Sequence, residues 1–346
     1  MDSEMSNFKI VVAGCGSMAN AWVKDAVARD NAAIVGLVDI KREFAQAMAD
    51  RHGLACGIYT DLKEAIAQTG ANLVFDVTIP ASHFSICSTA LQSGANVLGE
   101  KPMAESMAEG RELVALANRT GRFYTVMQNR RYDANIRALR GLISGGTIGK
   151  LGHTCADFFL GPHFGGFRDA MDSPLILDMA IHTFDQARFI TGADPVSVYC
   201  HEFNPPGSWY AGNASAICIY EMSDDSVFTY SGSWCSEGAP TSWESQWRIS
   251  GERGTAIWDG AHAPYAEVVA AGDQEGKFIR DCRRVEATFD WQGRSGHEGC
   301  FDEMFAALEA GRPAETDCRD NIKSLAMVLG AIDSAQAGRK IDLRGY

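Results

Sequence analysis

Short hydrophobic runs alternate with helical patterns in the first third of the chain. The runs are rich in β-branched residues and lie at residues 8–13, 33–38, 73–79, 96–98 and 123–126. Between them, apolar residues recur at helical spacing at residues 19–28, 42–51 and 106–117. This alternation is typical of a parallel, doubly wound sheet with helices on both faces. The pattern therefore predicts an N-terminal α/β domain over residues 1–125.

The pattern changes after about residue 150, where hydrophobic and polar residues alternate over longer runs. These runs lie at residues 151–159, 196–203, 214–221, 226–234, 243–249 and 284–291. They predict a large, mostly antiparallel open sheet, with a hairpin turn between Gly251 and Gly254. Helices are predicted at residues 174–190, 298–310 and 319–335. We therefore expect a second α/β domain over residues 126–346, whose last helix can pack back on the first domain.

Length, charge and cysteine spacing narrow the class of protein. The 346 residues exceed the size at which one hydrophobic core stops growing, which favours two domains. The formal net charge of −13 opposes binding to nucleic-acid phosphates. The ten cysteines form no CxxC pair and no zinc-like cluster with histidine, so we expect reduced thiols and no metal site. The acidic N-terminus and the lack of a long apolar run predict a cytoplasmic protein with no signal peptide and no membrane span.

A glycine-rich turn follows the first predicted strand. Gly14, Gly16 and Ala19 form a GxGxxA string between that strand and the next helical pattern. Gly14 permits a tight turn, and Gly16 lets backbone N–H groups approach a pyrophosphate. Ala19 lets the helix pack closely on the strand. This context predicts that the first domain is a Rossmann domain, which binds a dinucleotide cofactor.

The residues at the end of the second predicted strand bear on which dinucleotide is bound. Asp39 is placed to accept hydrogen bonds from the adenosine ribose hydroxyls and to repel a 2′-phosphate, which favours NAD. Lys41 and Arg42 follow it, and cations at this position can accommodate the phosphate of NADP. We therefore predict NAD and leave NADP open.

Two further segments carry candidate catalytic groups. Lys101 follows the run at residues 96–98, at the strand edge where open α/β sheets bind ligands. In the second domain, Ser173 as N-cap and Pro174 at the first helical position predict the start of a helix. That helix carries Asp178 and His182 four residues apart and therefore on one face. Such a pair can hold a substrate hydroxyl and take its proton, although a buried hydrogen-bonded pair is the alternative.

The order and spacing of five motifs resemble the glucose-fructose oxidoreductase, inositol dehydrogenase and MocA (Gfo/Idh/MocA) family. The motifs are the dinucleotide loop at 14–19, Asp76-Val77-Thr78-Ile79-Pro80 with His83, Glu100-Lys101-Pro102, Arg130-Arg131-Tyr132, and Asp178 with His182. The resemblance implies a Rossmann domain followed by an α/β domain for substrate binding and oligomerisation, through whose open sheet a homo-dimer or tetramer forms. Many relatives carry glycines just before the helix that contains Asp178. This chain has residues 168–174 there instead, so the resemblance does not determine the shape of the substrate pocket.

The resemblance also implies roles for individual residues. It makes Lys101, Asp178 and His182 the catalytic group. The residues expected to bind the cofactor are Gly14, Gly16, Ser17, Met18, Asp39, Ile40, Arg42, Thr78, Ile79, Pro80, His83, Glu100, Lys101 and Asn129. The substrate residues are expected from chemistry as well, because a polyol needs several convergent hydrogen-bond donors and acceptors. They are Lys101, Arg131, His163, Arg168, Asp178 and His182, with Asn129 and His297 as further candidates. Arg131 has the alternative role of a structural ion-pair partner.

The predicted activity is the oxidation of a secondary hydroxyl of a sugar, sugar acid or cyclitol by hydride transfer to nicotinamide. His182 is expected to act as general base, Lys101 to stabilise the reacting oxygen, and Asp178 to orient a hydroxyl or the imidazole. An NAD-dependent glycosidase of the same fold, a non-enzymatic NAD sensor and an imine or enal reductase stay open as alternatives. Net accumulation of NADH separates a dehydrogenase from the glycosidase.

Overall fold

A computed structural model describes residues 7–346, so the acidic N-terminal residues 1–4 lie outside the described part of the chain. The chain forms two compact units. Unit 1 is described over residues 7–128 and 297–325, and unit 2 comprises residues 129–296 and 326–346. The domain boundary after residue 125 and the packing of the last helix stay predictions. Within residues 7–346 no helix combines the length and hydrophobicity needed to cross a membrane.

Unit 1 contains a parallel sheet of six strands in the described part of the chain. The strands are β1 (Phe8–Ala13), β2 (Ala32–Val38), β3 (Gly57–Tyr59), β4 (Leu73–Asp76), β5 (Asn96–Gly99) and β6 (Tyr124–Val126). The connecting helices are α1 (Ala19–Val27), α2 (Arg42–His52), α3 (Leu62–Thr69), α4 (Pro80–Gln92) and α5 (Met107–Thr120). The spatial order β3-β2-β1-β4-β5-β6 is that of a doubly wound sheet, whose strand order reverses between β1 and β4. The predicted Rossmann sheet is confirmed.

Unit 2 begins with several helices and helical turns, which lie before and after the first strand of a large sheet. They are a 3₁₀ turn (Asn129–Arg131), α6 (Ala134–Ser144), and, after strand β7 (Leu151–Phe159), a 3₁₀ turn (Gly166–Ala170), a π-helical turn (Leu175–Ala180) and α7 (Ile181–Thr191). The next strands are β8 (Pro195–Phe203), β9 (Ser215–Met222), β10 (Val227–Ser233), β11 (Gln246–Gly251), β12 (Gly254–Trp258), β13 (Tyr265–Val269) and β14 (Cys282–Glu286). The chain ends with α8 (Gly296–Glu309), α9 (Cys318–Ala337) and β15 (Ile341–Asp342).

The sheet of unit 2 has the order β14-β13-β12-β11-β7-β10-β9-β8-β15. Its strand pairs are antiparallel except for β7 and β10, which run parallel. The mostly antiparallel sheet is therefore confirmed. The hairpin between β11 and β12 is confirmed as well, because Gly251 pairs with Gly254.

Burial alternates along the strands of unit 2, so that one face of the sheet lies on a core. Along β9, for example, Ala216, Cys218 and Tyr220 are buried while Ile217 and Ile219 are exposed. Helix α7 belongs to this core, and all of its residues from Ile181 to Ile190 are buried. A helix buried on all sides has no solvent-facing side, so its charged residues need partners within the protein.

Candidate functional site

The glycine-rich turn between β1 and α1 has the geometry of a dinucleotide loop. Gly14 has φ +85°, and a Cβ atom there would lie 2.5 Å from the Val77 carbonyl oxygen. A Cβ atom at Gly16, in contrast, would meet nothing within 4 Å. Gly16, Ser17 and Met18 are exposed, whereas Ala19 at the start of α1 is buried. The loop thus leaves its backbone open to an approaching ligand at the N-terminus of a helix, as pyrophosphate binding requires.

Asp39 lies at the end of β2, beside this loop. Its Oδ2 accepts a hydrogen bond from the Cys15 N–H at 2.9 Å, and its Oδ1 accepts one from the Lys41 N–H at 2.9 Å. Each carboxylate oxygen can accept a further bond, so the residue fits the ribose hydroxyls of a dinucleotide. Ile40 is highly exposed next to it, and the Arg42 guanidinium donates to the Ile58 carbonyl at 2.8 Å.

The segment after β4 places three of the predicted cofactor residues at the start of α4. Helix α4 begins at Pro80, and Ile79 before it is exposed. The Thr78 hydroxyl donates to Asp76 Oδ1 at 2.6 Å. His83 is buried, with its Nδ1 2.8 Å from Asp76 Oδ2. Asp76 was not singled out from the sequence, although its spacing from His83 was part of the family motif.

Lys101 follows β5 at the carboxyl edge of the sheet in unit 1. The preceding Glu100 accepts a hydrogen bond from Trp22 Nε1 at 3.1 Å, and the Lys101–Pro102 peptide bond is cis. His297, at the start of α8, interacts electrostatically with both Glu100 and Lys101. Burial lowers the pKa of His297; the Glu100 carboxylate opposes this shift, and the Lys101 ammonium reinforces it. The predicted lysine thus lies in a cluster of titratable groups, of which His297 was only a minor candidate.

The helix that carries Asp178 and His182 differs from the prediction at its start. Its first turn, Leu175–Ala180, is π-helical, and the Ser173 hydroxyl donates to Glu202 Oε2 at 3.1 Å instead of capping the helix. The predicted side-chain cap by Ser173 is therefore absent, because Glu202 binds its hydroxyl, whereas the Ser173 carbonyl accepts the Leu177 N–H at 3.0 Å. Asp178 lies in the π turn and His182 in the first turn of α7. Such π turns recur at functional sites.

Asp178 is held by an arginine of the preceding loop. Arg168 Nε donates to Asp178 Oδ2 at 2.6 Å, and its guanidinium lies over the rings of Phe164 and Phe167 at 5.4 and 4.7 Å. His163 of the same loop stacks on Trp209 with ring centroids 3.8 Å apart, and its Nε2 lies 2.8 Å from Glu237 Oε1. Both predicted loop residues therefore belong to unit 2 together with Asp178, and Arg168 contacts it directly.

The two arginines of the 3₁₀ turn at Asn129–Arg131 have different surroundings. Arg131 is buried and forms a bidentate ion pair with Asp185, with both N–O distances 2.6 Å. This contact is the structural alternative that the sequence left open. Arg130 donates to the Trp243 carbonyl, and its Nη1 lies 3.7 Å from Glu244 Oε1. Burial lowers the pKa of Arg130, and the Glu244 carboxylate opposes that shift.

The predicted residues fall into two sets. Unit 1 holds the dinucleotide loop, Asp39, Thr78 with its neighbours, and Lys101. Unit 2 holds the first turn with Asn129 and Arg131, the loop with His163 and Arg168, and the helix with Asp178 and His182, whereas His297 belongs to unit 1. No group of three or more metal-ligating side chains occurs in the described residues.

A Rossmann sheet with an open glycine loop and a carboxylate just after β2 is typical of a dinucleotide-binding oxidoreductase. The family comparison agrees with it. Residues 8–128 match the model of the oxidoreductase family with an NAD-binding Rossmann fold (GFO_IDH_MocA), and residues 136–257 match the Gfo/Idh/MocA C-terminal domain. The chain belongs to the Gfo/Idh/MocA family of NAD-binding oxidoreductases. The predicted family and the predicted cofactor, NAD, are both confirmed.

Similar proteins extend over nearly the whole chain. The protein y4oX of Sinorhizobium fredii is 26% identical, covering 98% of this chain and 96% of its own length. The D-apiose dehydrogenase of Paraburkholderia graminis is 25% identical, covering 98% of this chain and 91% of its own. An oxidoreductase from Agrobacterium radiobacter, crystallised with NAD⁺, L-tartaric acid and magnesium, superposes with a TM-score of 0.84 at 21% identity and covers 98% of this chain and 99% of its own.

Proposed function

We propose that the protein oxidises a secondary hydroxyl of a sugar, sugar acid or cyclitol with NAD as the oxidant. The observation that carries this proposal is the presence, in a chain of this family, of Lys101 after β5 together with Asp178 and His182 on one helix of unit 2. An NAD sensor has no need of all three groups. The similarity to a D-apiose dehydrogenase over nearly the full length of both chains supports a sugar-like substrate.

Each of the three side chains has a distinct chemical role in this proposal. His182 takes the proton of the reacting hydroxyl, because an imidazole changes its charge near neutral pH. Lys101 donates to the same oxygen and stabilises the negative charge that develops on it. Asp178 orients a substrate hydroxyl, and the contact with Arg168 fixes its carboxylate. The bound nicotinamide supplies the redox chemistry by accepting a hydride.

A spectrophotometric screen tests the proposal. The purified protein is offered NAD or NADP with a panel of sugars, sugar acids and inositols, and NADH or NADPH is followed at its absorbance maximum. We expect net cofactor reduction with at least one compound, and faster reduction of NAD than of NADP because Asp39 disfavours a 2′-phosphate. A panel without any net reduction, from a protein that binds NAD by calorimetry, contradicts the proposal and favours the glycosidase or the sensor.

We also propose that the chain forms a homo-oligomer through the exposed face of the second sheet. Tyr199 on β8 pairs in register with Ile219 on β9, and both side chains are exposed together with Ile217. Adjacent exposed apolar side chains on a sheet favour association, because their burial removes apolar surface from water.

A further inference from the structure

A buried carboxylate supports the loop that precedes α4. Asp76, the last residue of β4, is 0% exposed. Its Oδ1 accepts hydrogen bonds from the Thr78 N–H at 3.1 Å and the Thr78 hydroxyl at 2.6 Å. Its Oδ2 lies 2.8 Å from His83 Nδ1 and 3.3 Å from Cys87 Sγ. Four donors thus surround one carboxylate group, as the burial of a charge requires.

This arrangement fixes the positions of two protons. Nδ1 of His83 faces a carboxylate oxygen at hydrogen-bonding distance, so Nδ1 carries a proton and donates it to Asp76. The hydroxyl proton of Thr78 is committed to the same carboxylate, in the shortest of the four contacts. His83 Nδ1 also lies 3.4 Å from Thr78 Oγ1, so the imidazole, the hydroxyl and the Asp76 carboxylate form one hydrogen-bond network. The Thr78 hydroxyl is therefore left with only its acceptor capacity for any further partner.

We propose that Asp76 and His83 are positioning residues that hold the Thr78 hydroxyl as a hydrogen-bond acceptor for the nicotinamide riboside half of NAD. That half carries hydroxyl and amide donors, which an acceptor of fixed orientation can select. His83 is only 1% exposed, so it acts through Thr78 instead of contacting the cofactor. The inference rests on the expectation, implied by the family resemblance, that Thr78 borders the nicotinamide riboside of NAD. It does not depend on which alcohol is oxidised.

A double-mutant cycle on NAD binding tests the proposal without any turnover. The dissociation constants of NAD and NADH are measured by calorimetry and fluorescence for the wild type, Thr78→Val, His83→Leu and the double variant. We expect each single substitution to weaken binding about tenfold, which is the effect of one lost hydrogen bond. The double variant is expected to bind no more weakly than Thr78→Val alone, because His83 acts through the hydroxyl that this variant lacks.

Two outcomes of the cycle overturn the proposal. One is unchanged NAD affinity in His83→Leu. The other is an equal loss of affinity from His83→Leu in the wild type and in the Thr78→Val background, which indicates a general structural role. If the substrate screen fails but the double-mutant cycle shows coupling between Thr78 and His83, this inference is retained and only the proposed reaction is contradicted.

Conservative variants test which nitrogen of His83 matters. His83→Asn places an amide donor near the Nδ1 position, whereas His83→Gln places one near Nε2. We expect His83→Asn to retain more NAD affinity than His83→Gln; equal losses in both contradict the role assigned to Nδ1. Leu91→Ala is the matched control, because Leu91 is a buried residue of the same helix. It should lower Tm and leave the NAD dissociation constant within about twofold of the wild type.

Discussion

At the scale of single residues, burial decides between roles that the sequence cannot separate. Arg131 and Arg168 are both arginines in candidate substrate segments. The structure places Arg131 in a buried bidentate pair with Asp185, and Arg168 in a partly exposed contact with Asp178. Arg131 therefore stabilises the helix that carries His182, because removal of either partner of a buried pair leaves an uncompensated charge. The sequence shows the residue types and their spacing but not the solvent exposure that separates them.

The first prediction concerns the candidate catalytic groups. Lys101→Ala and His182→Ala should each lower kcat by about a hundredfold or more, because each loses a group that interacts with the reacting oxygen. The NAD dissociation constant of the His182 variant should change little. Lys63→Ala and His262→Ala are matched controls at exposed positions. Steady-state kinetics and NAD titrations measure both quantities, and near-normal turnover in both catalytic variants would end the assignment.

The second prediction concerns the pH dependence of stability. Burial raises the pKa of Glu202 to about 7, and the bond from Ser173 opposes that shift. The native state therefore holds the proton more tightly than the unfolded chain, whose glutamates titrate near 4.3. The stabilisation is complete below that value and is lost as the pH rises to about 7. The contribution is at most about 4 kcal/mol, since the pKa rises from about 4.3 to about 7 and one pKa unit corresponds to about 1.4 kcal/mol.

Glu202→Gln keeps an acceptor for the Ser173 hydroxyl but does not titrate. Urea unfolding of this variant should show a smaller loss of stability between pH 4.5 and pH 7 than the wild type. Glu237→Gln, at an exposed position, is the control and should leave the profile unchanged. Parallel profiles for Glu202→Gln and the wild type would show that Glu202 does not titrate in this range.

At the scale of elements, strong periodicity was the reliable signal. The two sheets, the β11–β12 hairpin and helices α1, α2 and α5 follow from alternating and helical patterns. Strand β3, with only three residues, is too short to show a period. Helix α4 carries few charged residues, so its two faces differ little in polarity and the sequence pattern does not reveal the helix. The π turn before α7 was missed because it arises from packing and local hydrogen bonds that leave no distinct spacing of hydrophobic residues.

The third prediction compares two glycines of the dinucleotide loop. Gly14→Ala should reduce the free energy of unfolding and abolish NAD binding, because it combines a φ of +85° with a Cβ 2.5 Å from the Val77 oxygen. Gly16→Ala should leave stability nearly unchanged, since its Cβ would enter open space. It should nevertheless weaken NAD binding at least tenfold, because that space is where the pyrophosphate is expected to approach. Urea unfolding and calorimetry separate the two effects, and equal stability losses would contradict the difference.

At the scale of the whole molecule, α8 completes the core of unit 1. Phe301 of this helix contacts the rings of Trp22 and Phe75, with centroid distances of 5.1 and 5.7 Å. Phe305 contacts Phe8 at 5.1 Å. A segment that begins 169 residues after the end of the first part of unit 1 is thus part of the same hydrophobic core.

The fourth prediction is that the core of unit 1 depends on this late segment. Phe301→Ala should reduce the free energy of unfolding by about 3–5 kcal/mol, the usual cost of removing a buried aromatic ring. Phe278→Ala, at a fully exposed position, is the matched control and should change it by less than about 0.5 kcal/mol. Chemical unfolding measures both values. A similar stability for the two variants would exclude α8 from the core.

The fifth prediction concerns the exposed face of the second sheet. Ile219→Lys places a charge among the exposed apolar side chains of β8 and β9 and should shift the protein to a smaller species. Light scattering after size-exclusion chromatography measures the mass. Lys150→Glu is a control that changes charge at an exposed position elsewhere in unit 2. A wild type that elutes as a monomer, or an unchanged mass in Ile219→Lys, contradicts an interface at this face.

The return of the chain to unit 1 has a consequence for its synthesis. When residues 7–128 have left the ribosome, all six strand segments of the unit 1 sheet have been synthesised, but the aromatic side chains of α8 have not. Domains formed from one continuous segment can fold as soon as they emerge. This cofactor-binding unit can instead complete its core only after α8 has been synthesised, with apolar surface exposed around Trp22 and Phe75 in the meantime. During that interval, the nascent chain should be a client of chaperones that bind exposed aromatic segments.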